Sequence, residues 1–337
     1  MASTDGKHID YLDGWRGMAI LFLLVGHFFP IRGINFGAVG VNLFFVLSGL
    51  LMARLLFVEQ TPLAVFYQRR IARIIPAHLF FLTCLCTFYL VTSQAINWQE
   101  ILAASLFIIN YYPGTGAPTA MPVGHIWSLA VEEHSYILLS LIALLVRRYR
   151  ANPIMVIGGV AGCFACFGVM YWLIFSGRQL DFVMWNHSEV SAYGIFVSAG
   201  LYLWLRKRAL PTLPMVLCPA LVGVGILFHW WSVPAPVKLV CGVMAFALAV
   251  NLLMTMPAWM KQLMSMKWLR MMGIWSFSLY LWQQPFYMYA NQTGFPKVLA
   301  LGMAFVCGLA SFYCIEQPIR RYLNNRWQQN SRVALQA

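Results

Sequence analysis

The chain of 337 residues is 61% hydrophobic and 10% charged, and its formal net charge is +13. Soluble domains are about 45–50% apolar and about 25% charged, so this composition excludes a soluble globular protein and predicts an all-α, polytopic membrane protein. We expect a transmembrane helical bundle of about ten spans, because roughly 20 apolar residues are needed to cross a bilayer as a helix.

The predicted spans follow one another closely, with short loops between most of them. They cover residues 16–31, 38–58, 74–93, 127–146, 153–175, 190–205, 213–231, 237–256, 272–291 and 297–315. Residues 1–337 are expected to form a single membrane domain that ends in a polar tail over residues 324–337.

The basic residues are distributed unevenly between the two sides of these spans. If the N-terminus is cytoplasmic, all but four of the 23 Lys and Arg residues fall on the cytoplasmic side. This is the pattern of the positive-inside rule, which predicts that both termini are cytoplasmic and that the protein resides in the inner membrane. The net charge therefore reflects membrane topology, and we expect no nucleic-acid partner.

The first span carries the clearest functional signal. Asp13, Arg16 and His27 share one helical face, and the last two lie about 16 Å apart along the axis at 1.5 Å per residue. Ionisable groups are costly inside a bilayer, and those that persist usually line a cavity or take part in chemistry. This stripe is the predicted location of the active site.

The third span begins with a basic cluster of Arg69, Arg70 and Arg73 on the predicted inner face. Such a cluster suits a phosphorylated ligand through bidentate contacts, although plain positive-inside anchoring also accounts for it. The preceding span contains the segment 40–49, whose small residues favour close helix packing.

Residues 94–126 form the longest predicted non-spanning stretch and contain no Lys or Arg, so we expect them on the outer face. Within this stretch, residues 101–110 are apolar but too short to cross the membrane, and they end at a break over 111–116. Two interpretations remain open, a re-entrant segment above an outward cavity and a helix lying flat in the interface.

The fourth span brings two carboxylates, Glu132 and Glu133, into an apolar helix at a depth similar to that of His27. We therefore expect a carboxylate–imidazole pair between the first and fourth spans, which would orient the imidazole and raise its basicity as a general base. For a lone membrane histidine, a structural hydrogen bond is the more common role. The Arg16–His27 stripe and the depth-matched glutamates favour catalysis instead.

The ninth span is rich in polar residues before a proline, which predicts a cavity wall, with an aromatic belt as the alternative. These residues are Ser276, Ser278, Tyr280, Trp282, Gln283 and Pro285. At the end of the last span, Glu316 is expected to pair with a neighbouring arginine. The eight cysteines lie in or beside apolar spans without accompanying ligands, so no metal site is expected.

Taken in order, these motifs resemble acyltransferase family 3, a family of integral-membrane O-acyltransferases. The matching segments are 12–17 with His27, 40–49, 68–76, 127–133, 278–282 and 316–318. The resemblance implies acyl-CoA, usually acetyl-CoA, as the donor and a hydroxyl of a glycan or other carbohydrate as the acceptor. It also implies functional roles for Arg16, His27, Glu132 and Glu133.

The chain departs from the family pattern at a few positions in these motifs. Asn42 replaces a frequent Asp and Gln283 replaces a frequent His, so neither is assigned a proton-transfer role. His134 and Ser135 replace the usual Gln and Phe.

The resulting interpretation is a membrane-bound O-acyltransferase in which Arg69, Arg70 and Arg73 hold the CoA phosphates. His27, oriented by Glu132 or Glu133, would deprotonate the acceptor for direct transfer, with an acyl-histidine intermediate left open. Asp13 would hold Arg16.

The main rival interpretation is a proton-coupled transporter or flippase, since proton relays also use buried His and Glu. The arginine cluster favours the enzyme, because a proton relay has no need of it. A non-catalytic scaffold is a third alternative, and it leaves the buried ionisable stripe unexplained.

Overall fold

The computed structural model describes residues 10–112, 121–175, 185–208, 214 and 216–334. These residues are almost entirely helical, and the one isolated β-bridge among them joins Ile34 to Trp230. The all-α fold class is therefore confirmed. The predicted break over 113–116 lies outside the described residues.

The main helices lie where the hydrophobic segments predict them. In chain order they are α1 (Asp10–Phe28), α2 (Phe36–Ala53), α3 (Leu63–Val91), α4 (Trp98–Ser105), α5 (Trp127–Tyr149), α6 (Pro153–Phe175), α7 (Tyr193–Leu205), α8 (Leu217–Phe228), α9 (Val243–Leu252), α10 (Ala258–Met264), α11 (Lys267–Thr293), α12 (Lys297–Ser311) and α13 (Gln317–Ala334). Single π-helical segments extend α2, precede α9 and join α12 to α13.

Each predicted span contains a helix, but the count of about ten spans is not confirmed. Within the described ranges, six helical stretches are long and apolar enough to cross a membrane, namely Phe36–Val58, Leu63–Val91, Gly124–Tyr149, Pro153–Phe175, Ala235–Leu252 and Lys297–Trp327. This makes the protein a multi-pass membrane protein. Helices α7 and α8 have only 13 and 12 residues, or about 20 and 18 Å at 1.5 Å per residue. Each of these two helices is thus shorter than the thickness of a bilayer core, which is about 30 Å.

Helices α1 and α11 fall outside these six because polar side chains lower their hydropathy. Asp13 on α1 and Ser276, Ser278 and Gln283 on α11 are all buried inside the protein. The residues that weaken the membrane signal are therefore on interior faces, where other protein groups satisfy them.

Helices α1 and α11 touch backbone to backbone. A Cβ atom on Gly17 would lie 2.0 Å from the Leu269 carbonyl oxygen, and one on Gly273 would lie 1.9 Å from the Asp13 carbonyl oxygen. Only glycine permits this approach, which resembles the small-residue packing of membrane helices. The same kind of contact brings α2 against its neighbours, since a Cβ on Gly49 would lie 2.0 Å from the Ile195 carbonyl oxygen.

The outer and terminal segments differ from expectation in their details. The apolar segment 101–110 forms only the end of the eight-residue helix α4 and a short 3₁₀ turn at Ile109–Tyr111. Helix α4 buries Ile101, Ala103 and Ala104 and leaves Leu102 exposed. The polar tail predicted from residue 324 is instead helical as far as Ala334, because α13 continues the preceding span. Residues 335–337 lie outside the described residues.

Candidate active site

A cavity opens between α1, α2, α3, α5 and α11. The cavity and its opening to solvent together comprise ≈ 780 Å³ of space free of protein atoms. Its polar lining consists of Arg16, Ser48, Arg70, Arg73, Ser128, Glu132, Tyr136, Ser276 and Tyr280. Leucine, phenylalanine, isoleucine and valine side chains form the remainder.

The three arginines of this cavity differ in their partners. Arg16 Nη1 donates to the Asp13 carboxylate at 3.0 Å, and Asp13 is itself 3% exposed, as the sequence predicts for a residue that holds Arg16. Arg70 and Arg73 form no ion pair with any residue in the described parts of the chain. Their charges are therefore available to an anionic ligand that enters the cavity.

Arg69 does not belong to this site. The predicted cluster of three arginines divides because Arg70 and Arg73 are one helical turn apart on α3, whereas Arg69 lies about 100° away from Arg70. Arg69 is exposed and does not line the cavity. Arg70 and Arg73 are therefore the stronger candidates for donor binding, and the expected role of Arg69 stays a prediction without support from this cavity.

Glu132 is hydrogen-bonded inside the cavity rather than to His27. Its Oε1 accepts a hydrogen bond from the Ser48 hydroxyl at 2.5 Å, and the Tyr136 hydroxyl donates to Ser48 at 3.1 Å. The guanidinium of Arg70 lies over the Tyr136 ring, 3.5 Å from its centroid. A continuous contact chain therefore runs from the Glu132 carboxylate to the Arg70 guanidinium.

The partner of His27 is Gln283 on α11. Nδ1 of His27 lies 2.8 Å from Gln283 Oε1, and the imidazole stacks on Tyr287 at 4.7 Å between ring centroids. Because the amide oxygen only accepts, this bond places the proton on Nδ1 and leaves Nε2 as an acceptor. The amide is fixed in turn by donation from Gln283 Nε2 to Gln284 at 3.2 Å.

The expected carboxylate–imidazole pair is therefore wrong. Depth matching along two helices does not fix their rotation, and α5 turns Glu132 towards Ser48 on α2. Glu133 also makes no bond to His27, and its buried Oε1 has no hydrogen-bond partner. Polar residues of the ninth span do line the cavity, as predicted, and that span also supplies the partner of His27.

The space in front of His27 Nε2 depends on a glycine. A Cβ atom on Gly37, at the start of α2, would lie 3.2 Å from Nε2. Glycine at this position therefore avoids a close contact with the imidazole, and His27 itself does not line the cavity. The nearby Asn35 caps α2 by accepting from the Ala38 amide at 3.0 Å.

Two cavity residues that the sequence analysis overlooked have a recognisable signal. Ser128 and Tyr136 lie four residues before and after Glu132, so all three fall on one face of α5. The Ser128 hydroxyl is also 2.6 Å from the Tyr280 hydroxyl of α11. The i, i+4, i+8 spacing of Ser128, Glu132 and Tyr136 is enough to predict a polar stripe on one face of α5.

The positions that depart from the family pattern have structural partners. Asn42 Nδ2 donates to His229 Nε2 at 2.9 Å, and His229 Nδ1 donates to the Gly225 carbonyl at 2.7 Å. His134 Nδ1 lies 2.7 Å from the Ser188 hydroxyl.

Glu316, at the end of the last predicted span, takes the partner that was expected of it. It accepts from Arg320 at 3.4 Å and from Ser278 at 2.7 Å, so the expected arginine pairing of this carboxylate is confirmed.

A separate polar cluster surrounds Glu189, which precedes α7. Its carboxylate accepts from the hydroxyls of Tyr111 at 2.6 Å and Tyr171 at 2.8 Å, and it pairs with His187 at 3.3 Å. Burial opposes its ionisation, but the bonds from His187, Tyr111 and Tyr171 outweigh burial and hold the pKa of Glu189 at about 2. Burial and the Glu189 bond raise the pKa of Tyr111 to about 12. This cluster ties the 109–111 turn to α6.

Comparison with known protein families identifies the class of this all-α membrane protein. Residues 9–316 match the family model described as an acyltransferase domain. The chain therefore belongs to this acyltransferase family, the one that its motifs resemble.

The relatives are bacterial O-acetyltransferases. The peptidoglycan O-acetyltransferase OatA of Listeria monocytogenes is 24% identical over 94% of this chain and 56% of its own length. The putative peptidoglycan O-acetyltransferase YrhL of Bacillus subtilis is 26% identical over 93% of this chain and 55% of its own length. The O-acetyltransferase OatA of Staphylococcus aureus is 31% identical over 44% of this chain and 27% of its own length.

The chain thus spans about half the length of the relatives that it matches along most of its sequence. No solved structure matches it.

Proposed function

We propose that this protein is a membrane-bound O-acetyltransferase that transfers an acetyl group from acetyl-CoA to a hydroxyl of a cell-surface glycan. Membership of the acyltransferase family supports the reaction class, and the names of the relatives support a peptidoglycan-type acceptor. The observation that carries the proposal is an arginine-lined cavity beside the helix that bears His27. In this proposal both termini are cytoplasmic and the protein resides in the inner membrane.

The donor would bind with its phosphates on Arg70 and Arg73. Both guanidinium groups lack an ionic partner among the described residues, and guanidinium groups bind phosphate oxygens bidentately. The acyl arm would then run along the polar faces of α1 and α5. From Arg16 to His27 along α1 the rise is about 16 Å at 1.5 Å per residue, so an extended arm is needed to reach the base.

His27 would act as the general base. The acceptor oxygen attacks the thioester carbonyl carbon while its proton passes to Nε2 of His27, and the carbonyl π electrons move to oxygen. The carbonyl then reforms, the C–S bond breaks, and the CoA thiolate takes the proton from His27. Gln283, rather than a glutamate, would orient the imidazole by accepting a hydrogen bond from Nδ1 of His27.

The test is release of CoA thiol from acetyl-CoA by the purified protein, with soluble peptidoglycan fragments as acceptors and mass spectrometry of the glycan product. We expect His27→Ala to lower turnover by about 10²- to 10⁴-fold, the usual contribution of a general base, without a change in melting temperature. His134→Gln, which restores the residue usual in the family, serves as the matched control and should retain turnover. Near-normal turnover of folded His27→Ala protein would disprove the proposed base.

The rival function of a proton-coupled transporter is less well supported. The hydrogen-bond partner of His27 is an amide, which does not exchange a proton as a carboxylate does. Arg70 and Arg73, which form no ion pair within the described ranges, would also have no role in a proton relay. If reconstituted protein acidifies vesicles but releases no CoA, the transporter is correct and the enzyme proposal fails.

A further inference from the structure

Arg70 has an unusual environment for a cavity arginine. Its guanidinium carbon is 3.5 Å from the centroid of the Tyr136 ring and 5.4 Å from that of Phe66. Its Nη2 donates a hydrogen bond to the sulfur of Met52 at 3.1 Å. The other cavity arginine with a defined partner, Arg16, is instead held by a carboxylate.

A guanidinium held by an aromatic face is oriented without being neutralised. Stacking on an aromatic ring uses a face of the planar group, while its N–H bonds point outwards in the plane. A carboxylate partner would occupy those N–H bonds and cancel the charge. The arrangement at Arg70 therefore fixes the side chain and leaves its donors available for a phosphate group.

The Tyr136 ring is itself held from its other end. Its hydroxyl donates to Ser48 at 3.1 Å, and Ser48 donates to Glu132 at 2.5 Å. Tyr136 is 1% exposed, so a rotation of its ring would break a buried hydrogen bond as well as the packing. Glu132, Ser48 and Tyr136 thus form a rigid support that ends at Arg70.

We infer that Tyr136 is the positioning residue for donor binding: its ring holds the Arg70 guanidinium edge-on to a phosphate of the acyl-CoA, and Glu132 fixes that ring through Ser48. This inference rests on the proposed function, since it concerns the same donor. It also assigns a role to the carboxyl group of Glu132, which lines the same cavity as Arg70.

The test is a double-mutant cycle on the affinity for acetyl-CoA, measured by calorimetry with purified protein in detergent. A cation–π contact contributes about 0.5 to 2 kcal/mol, so Tyr136→Leu should weaken binding by about 2- to 30-fold. Tyr136→Phe keeps the ring that stacks on Arg70 and loses only its hydrogen bond to Ser48, so it should weaken binding by less than Tyr136→Leu does. Turnover at saturating donor should change little in either variant.

The decisive comparison uses the Arg70→Gln background. If Tyr136 acts through Arg70, Tyr136→Leu will weaken binding no further once Arg70 is absent. A fully additive loss, or equal losses in the Phe and Leu variants, would show that Tyr136 only maintains the fold. Tyr202→Leu on α7, away from the cavity, is the matched control and should leave donor affinity unchanged.

Arg70→Lys provides a second route if Tyr136→Leu does not fold. Lysine keeps the charge but has no planar face to stack, so we expect most of the affinity loss seen in Arg70→Gln. Wild-type affinity in Arg70→Lys would overturn the inference. If Arg70→Gln weakens binding but the Tyr136 and Arg70→Lys results contradict the inference, Tyr136 is not a positioning residue and the proposed function is unaffected. If the wild-type protein binds no acetyl-CoA, both fail.

Discussion

The bond between His27 and Gln283 offers the sharpest test of the site. We expect Gln283→Met, which has similar length but no amide, to lower turnover because His27 Nδ1 loses its acceptor and the imidazole its orientation. The bond is a neutral one of 2.8 Å, and such bonds contribute about 0.5–1.5 kcal/mol. At 1.36 kcal/mol per tenfold in rate, the expected loss is about 2- to 13-fold.

The matched variant is Gln283→Glu, which keeps an acceptor oxygen at the same position and should lose less activity than Gln283→Met. Turnover would be measured as CoA release at saturating acetyl-CoA, with the melting temperature of each variant as the control for folding. A folded Gln283→Met protein with wild-type turnover would refute the idea that Gln283 orients the base. Equal losses in both variants would indicate a packing role.

Three further predictions follow from contacts around the site. Gly37→Ala places a methyl group 3.2 Å from the unpaired nitrogen of the base, so turnover should fall while donor affinity is unchanged; equal turnover would show that the acceptor approaches elsewhere. Arg70→Gln and Arg73→Gln should each weaken acetyl-CoA binding by about tenfold, the effect of roughly 1.4 kcal/mol, whereas Arg69→Gln, as the exposed control, should not. Because its folded pKa of about 2 lies below its ordinary value of 4.5, Glu189 stabilises the protein above that ordinary value and loses this effect as pH falls towards 2. The melting temperature should therefore fall from pH 6 to pH 3 in the wild type and less so in Glu189→Gln; parallel curves would contradict this.

The sequence predicts the helices and most of the polar residues, but not how the helices face one another. The rise per residue correctly places Arg16 and His27 on one helix, and the small residues of 40–49 correctly predict close packing. Pairing between helices depends on their rotation, which periodicity does not determine. The glutamate at position 132 therefore faces Ser48 instead of the imidazole.

The same limit explains the basic cluster on α3. Three neighbouring arginines in the sequence predict one binding surface. In a helix, however, adjacent residues point about 100° apart. Arg70 and Arg73 share a face and Arg69 does not, and only the packing of α3 decides which face meets the cavity. The count of about ten spans stays unconfirmed for a related reason, because it includes hydrophobic segments as short as α7 and α8.

The backbone contact between α1 and α11 limits how this protein can work. With glycines at positions 17 and 273, each helix has its backbone against the other, and a Cβ atom at either position would collide with main-chain atoms. His27 lies on α1 and Gln283 on α11. The glycine contact that holds these helices together therefore helps to set the distance between the two side chains, although it is more than two helical turns from His27 along α1. A methyl group added at position 17 would push α1 and α11 apart, and it would disturb the contact between His27 and Gln283 without touching either residue.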